Sequence, residues 1–266
     1  MANKIGKNII FIPSIDLGNG RSDSYKYSIA SWKHFAEKND CEVFLLEEPV
    51  TDPKQMPIVW QRYYVLDILE HNEINYEQVL VVDSDTIVHP ECPNFFTANS
   101  EYDYMAVAND GDYEWVNKSI AQYGPAFFNQ PSFKTHLYVN GGFQVFTGKH
   151  KNYLKSLRDW YFKNQERLLQ VFGKWNSCDQ TCINFFREFE NDGDHPGLKI
   201  LPNCFNLQDL GRKNLLYMDP RHYWTDELHF LKNGYVFHFN AIPHNQMGRD
   251  ANYWIKRTYK ELYGEL

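Results

Sequence analysis

The distribution of apolar residues along the first eighty positions alternates between two periods. Asn8 to Ile15 is an apolar run of strand type, and Glu42 to Leu46 is a second. Between them, Ser22 to Glu37 carries Ile29, Trp32 and Phe35 at helical spacing. Trp60 to Leu69 repeats the helical signal, with Tyr63, Leu66 and Leu69 on one side. Val79-Leu80-Val81-Val82 is apolar at every position and β-branched, as a strand covered on both faces must be. Strands alternating with helices predict an α/β fold: a mostly parallel, Rossmann-like sheet with helices on both faces.

The second half is less regular. Ala108 to His136 is polar, aromatic and punctuated by Gly and Pro, and reads as a long excursion from the core. Tyr138 to Phe146 returns as a strand interrupted at Gly141-Gly142. Lys151 to Val171 and Cys178 to Phe189 read as helices, Leu198 to Leu201 and Tyr235 to Phe239 as late strands, and Asn252 to Tyr263 as a final helix. No repeat, low-complexity tract or Gly/Ser linker divides the chain. A length of 266 residues lies within reach of one core, so a single domain over 1–266 is expected.

Composition narrows the partners. Hydrophobic residues make up 43% of the chain, enough for a packed core. The net charge of −7 argues against a long polyphosphate partner, so no nucleic acid is expected. A small anion stays compatible with it, because one metal and a few basic groups neutralise such a ligand locally. The run Ile9 to Ile12 ends at Pro13 and is too short for a signal sequence or a membrane span. No integral membrane segment is therefore expected, and a cytoplasmic location is. The five cysteines are scattered, only Cys178 and Cys182 lie close together, and no zinc pattern surrounds them. They read as free thiols of a reducing compartment.

Chemistry is sought at the strand ends, where open parallel sheets bind their ligands. Asp83-Ser84-Asp85 follows the buried run directly. Residues i and i+2 leaving a strand point the same way, so two carboxylates converge. Such a pair repels unless a cation lies between, and hard oxygen ligands suit Mg²⁺ or Mn²⁺. The motif has two other readings: a simple Asp/Ser turn, and the opening motif of a haloacid-dehalogenase-like phosphatase with Asp83 as nucleophile.

Later motifs bear on that choice. Asp83-Ser84-Asp85, Asn140-Gly141-Gly142, Asp179-Gln180, Leu201 to Asn206 and His238-Phe239-Asn240 occur in an order that resembles the GT-A nucleotide-sugar transferases. The likeness is strongest to glycosyltransferase family eight, the glycogenin and galactinol synthase group, and spans Ile9 to about His244. It implies a nucleotide-binding half over about 1–107 and a sugar and acceptor half over about 108–266. Asp83, Asp85 and His238 would hold the metal, with Mn²⁺ favoured over Mg²⁺ by the imidazole. Asn140, Gly141 and Gly142 would bring backbone close to the sugar, a place where a Cβ is unwelcome. Asp179 and Gln180 would lie beneath the sugar as the catalytic pair. Ser177 and Gln180 also fit a capping box, which would make them structural. Leu201 to Asn206 reads as mainly architectural. Ile12, Pro13 and Asp16 follow the first strand, where the family holds the nucleotide together with the ribose contact of Asp83 and its neighbour Ser84. Arg62 is a candidate for the diphosphate or for Asp85.

The resemblance implies a hexosyltransferase working on a nucleotide-sugar donor, UDP-linked by default. The acceptor would be a glycan, glycoprotein or small molecule, and the anomeric configuration would be retained. Inversion would need an acceptor-side carboxylate, for which Asp110 and Asp112 are available. The chain departs from the family after its histidine: Ala241 and His244 stand where a Gly and a Lys are usual. His244, or Arg249, would then have to supply the positive charge for the diphosphate. A non-catalytic nucleotide-sugar binder would use the same metal site. The aromatic-rich stretch Tyr113 to Phe133 reads as an acceptor-side lid.

Overall fold

The computed structural model describes residues 6–98, 103–176, 179–190, 196–210, 228–242 and 249–266. Its centre is a six-stranded sheet in the order β2-β1-β3-β6-β5-β7. These strands are β1 (Lys7–Pro13), β2 (Cys41–Leu46), β3 (Tyr76–Val82), β5 (Asp103–Ala108), β6 (Val139–Thr147) and β7 (Gly197–Leu201). β1 pairs parallel with both β2 and β3, and β5 pairs parallel with β7. Only β6 runs the other way, antiparallel to β3 and β5. The mixed, mostly parallel sheet is therefore as expected.

Side-chain alternation splits the core between the two faces. Ile9, Phe11, Val79 and Val81 point to one cluster, and Ile10, Ile12, Leu80 and Val82 to the other. On the second face α1 (Tyr25–Lys38) lays down Trp32, Phe35 and Ala36. On the first, the helical stretch α2 (Ile58–Gln61) and α3 (Val65–His71), joined through a 3-10 turn at Arg62–Tyr64, contributes Trp60, Tyr63, Leu66 and Leu69. Burying each aliphatic side chain in such a layer stabilises by about 1.5–3 kcal/mol. That is why an uninterrupted apolar run becomes a central strand.

The stretch Ala108 to His136 is not an excursion. It contains α4 (Tyr113–Tyr123), capped by Asp112, whose Oδ1 accepts from the Glu114 and Trp115 amides at 2.8 and 3.2 Å. A π-helical turn follows at Gly124–Phe128. Val116, Ile120, Tyr123 and Phe128 are buried in the main core with α5 (Lys151–Lys163) and α7 (Gln180–Phe189). A helix so anchored cannot act as a free lid. The polar residues that concealed it lie on its exposed face.

Strand β6 is continuous through Asn140-Gly141-Gly142, and the irregularity falls on its pairing instead. Ala106 faces Gln144 while Ala108 faces Val139, so β6 bulges at the glycines. The predicted helix Lys151 to Val171 is two, with α6 (Gln165–Val171) restarting after Asn164.

A two-stranded ribbon completes the frame: β4 (Thr86–Val88) pairs antiparallel with β8 (Val236–His238), setting His238 opposite Thr86. Behind it α8 (Ala251–Tyr263) packs Trp254, Ile255 and Tyr259 against Ile87, Phe237 and Phe239. Cys41, Cys92, Cys182 and Cys204 are free thiols, and Cys178 lies outside the described residues. Among the described residues no helix is long and apolar enough to cross a membrane.

Candidate active site

β3 ends where the sheet order reverses, between β1 and the strands added on its other side, the usual place for a ligand crevice. The turn that follows is held from below: Trp32 Nε1 donates to Thr86 Oγ1 at 2.9 Å, and Thr86 Oγ1 donates to the Asp83 carbonyl at 2.7 Å. The ribbon then brings in the third group, as the Phe239 amide donates to the Asp85 carbonyl at 2.9 Å. One atom each of Asp83, Asp85 and His238 thereby lies within 4.8 Å of the others. His238 Nε2 stands 3.1 Å from Asp85 Oδ1 and 3.6 Å from Asp83 Oδ2. Two carboxylate oxygens and an imidazole nitrogen, all lining one cleft, are a donor set that could hold a divalent metal ion.

Each carboxylate uses its other oxygen on an arginine. Arg62 Nη1 lies 2.6 Å from Asp83 Oδ1 and donates to the Gly141 carbonyl at 2.8 Å. Arg21 Nη2 lies 2.7 Å from Asp85 Oδ2 and reaches the Phe239 carbonyl at 3.2 Å. Arg62 therefore belongs to Asp83, while Asp85 has Arg21, a residue in the 3-10 turn Arg21–Ser24 that no sequence period distinguishes. Burial disfavours ionisation of Asp85, but His238 and then Arg21 outweigh it and hold its carboxyl well below the usual range. Burial likewise opposes charge on His238, yet Asp85 and Asp83 raise its pKa above the ordinary imidazole value.

The cleft encloses about 370 Å³ and extends from this triad across the mouth of the bulge. Asp179 precedes α7 without capping it; its Oδ2 accepts from the Tyr63 hydroxyl at 3.2 Å and lies 3.8 Å from Arg62 Nε. Burial pushes its pKa up, against the pull of Arg62. Gln180 does not turn back to the helix start. Its Oε1 accepts from the Gly141 amide at 3.0 Å and from Asn140 Nδ2 at 3.1 Å, and its Nε2 donates to Asn109 Oδ1 at 3.1 Å. The capping-box reading thus fails at its Gln180 end, and Ser177 lies outside the described residues.

The two glycines have different reasons. A Cβ on Gly142 would stand 2.5 Å from both Asp83 Oδ2 and His238 Cε1, so it is the Asp83 and His238 side chains that exclude one. A Cβ on Gly141 would meet Asp179 Oδ2 and Gln180 Cβ at an ordinary 3.7 Å, on the cleft side.

Other expected residues lie apart. Ile12 is buried in the core, and Ser84 is buried as well. Asp16 is exposed and organises its own loop, accepting from the Gly18 amide at 2.9 Å and the Ser22 hydroxyl at 2.7 Å. None of these, nor Pro13, lines the cleft. His244 lies outside the described residues. Arg249 stacks over Tyr253 and Trp254. Asp110 accepts from Asn203 Nδ2 at 2.8 Å, whereas Asp112 lines the cleft. The lining also holds Val59, Phe172 and Asp209, which the sequence did not single out, and Trp115 from the aromatic stretch. Asp209 is buried and left-handed, with φ 56°.

No protein-family model and no curated protein matches the sequence. Solved structures do match the fold. A glycosyltransferase involved in the glycosylation of the major capsid of PBCV-1 superposes with a TM-score of 0.56 at 12% identity, over 94% of this chain and 98% of that one. The apo structure of the WbbM bifunctional glycosyltransferase gives 0.53 at 13% identity, over 99% of this chain and 51% of that one. GlyE of Streptococcus pneumoniae TIGR4 gives 0.52 at 13% identity, over 96% of this chain and 62% of that one. The fold is thus the Rossmann-like GT-A architecture that these glycosyltransferases share.

Proposed function

We propose that the chain is a divalent-metal-dependent glycosyltransferase that moves a hexose from a nucleotide-sugar, UDP-linked by default, to an acceptor hydroxyl. The convergence of Asp83, Asp85 and His238 in the floor of a cleft, on a fold shared with solved glycosyltransferases, carries this reading. A bound cation would supply Lewis-acid stabilisation of the departing diphosphate. The remaining work falls to side chains. Arg62 fixes the Asp83 carboxylate and adds positive charge beside the leaving group. Asp179 accepts from sugar hydroxyls, and Tyr63 with Arg62 keeps its carboxylate aimed at the cleft. Gln180, with both ends of its amide engaged, holds the sugar-side floor in place; it is a positioning group and not a nucleophile.

The acceptor enters from the wall of Trp115, Phe172 and Asp209. Phe172 is 47% exposed, and an aromatic face left in water beside carboxylates suits a sugar ring, apolar on its faces and polar at its rim. Asp112 spends its Oδ1 on capping α4 and Asp110 accepts from Asn203, so both carboxylates of that loop are engaged, and we favour retention of configuration. The test is incubation with a panel of nucleotide-sugars and Mn²⁺, following nucleotide release and then the anomeric signal of the first product by NMR. Metal-dependent release of one nucleotide with a retained anomer supports the proposal. An inverted anomer removes retention, and absence of release with every donor and a broad acceptor panel removes the transferase itself.

A further inference from the structure

Between the triad and Gln180 runs a chain of buried carboxamides whose polarity is set by the backbone. The Gly142 N–H can only donate, so the Asn140 atom 2.8 Å away is its Oδ1. Asn140 Nδ2 is thereby turned toward Gln180 Oε1 at 3.1 Å, an oxygen that the Gly141 N–H fixes independently at 3.0 Å. On the other side, Asn206 Nδ2 donates to Asn140 Oδ1 at 3.0 Å, which leaves Asn206 Oδ1 facing His238 Nδ1 at 3.1 Å. An oxygen there requires a proton on Nδ1. In the neutral ring that a cation requires, the lone pair is then on Nε2, the nitrogen that faces Asp85 Oδ1 and Asp83 Oδ2. Asn140, Asn206 and His238 are 3%, 0% and 2% exposed, so water does not compete for these bonds.

We infer that Asn206 and Asn140 are positioning residues that relay the polarity of the Gly142 amide to His238, fixing its Nδ1–H form and presenting Nε2 to the cation. The inference rests on the reading of Asp83, Asp85 and His238 as a cation site. It gives Asn206 a role beyond architecture and makes Asn140 part of the metal centre as well as of the sugar-side floor. Partners of this kind typically change metal affinity by about 10–100-fold without touching the ion.

The test compares wild type with Asn206→Leu, which removes the acceptor at similar volume, and Asn206→Asp, which loses the donor to Asn140 Oδ1 but keeps an oxygen facing Nδ1 and so tests that oxygen apart from the rest of the chain. Mn²⁺ affinity is read by electron paramagnetic resonance. The histidine rings are read by ¹H–¹⁵N NMR, without cation and with diamagnetic Zn²⁺. The expected result is an Nδ1 proton on His238 in wild type in both states, an Mn²⁺ affinity about tenfold weaker in Asn206→Leu, and recovery to within about threefold in Asn206→Asp. An unprotonated Nδ1 in wild type overturns the inference, as does equal Mn²⁺ affinity in all three proteins. The wild-type spectrum decides even if Asn206→Leu does not fold. If wild type binds neither ion, the cation-site reading fails by itself, and the cation-free spectrum, recorded at a pH high enough for His238 to be neutral, still reports whether the relay places its one ring proton on Nδ1.

Discussion

The two ends of the cleft are built on opposite plans. At the triad end each donor atom is braced: Arg62 and Arg21 take the far oxygens of Asp83 and Asp85, and Asn206 takes the far nitrogen of His238. Elsewhere in the lining Phe172 stands half in water, and Trp115 reaches the cleft from the first turn of α4. On the proposed function, the braced end would hold a ligand whose charge is the same in every turnover, and the open side one recognised by shape. A diphosphate–metal site loses function when its atoms shift by a fraction of an ångström, whereas stacking tolerates looser placement.

The largest effect should come from breaking the braced end itself. Asp85→Ala is expected to lower transfer on the order of 10²–10³-fold, checked by steady-state rates on folded protein. Arg62→Met should show that bracing also serves stability. It leaves Asp83 without its 2.6 Å partner and costs about 2 kcal/mol, below the fully buried range because the Asp83 side chain is 26% exposed. Urea denaturation measures it.

The glycine pair separates the ends within a single strand. Gly142→Ala should weaken Mn²⁺ binding by about tenfold, because its Cβ would enter the space of Asp83 and His238. Gly141→Ala, with ordinary contacts, should leave Mn²⁺ binding unchanged. Equal effects of the two on Mn²⁺ affinity would break the contrast. The smallest effect belongs to the open wall. Phe172→Ala should raise the acceptor KM by about threefold to tenfold while donor and cation affinities stay put.

Legibility in the sequence followed the range of the interactions. The buried strand β3 and the acidic pair after it were readable because four consecutive apolar residues, Val79 to Val82, carry the pattern. α4 was missed, since an amphipathic helix with a polar outer face and a π-helical turn at Gly124-Pro125 reads locally as loop. Arg21 lies 64 positions from Asp85 in the chain and bears no periodic signal, so only the folded structure joins them. Asn206 was visible as part of a motif, but its bond to a histidine 32 residues later was not. Gly142 was singled out correctly as a place where a Cβ is excluded. In the structure the excluding groups are the Asp83 and His238 side chains.

The most direct test of the central claim is a calorimetric titration of UDP, GDP and their sugar conjugates, with and without Mn²⁺, into wild type and Asp85→Ala. The account predicts that one nucleotide binds wild type only when Mn²⁺ is present and fails to bind the variant. Binding of no nucleotide to wild type, or equal binding to both proteins without metal, would contradict it.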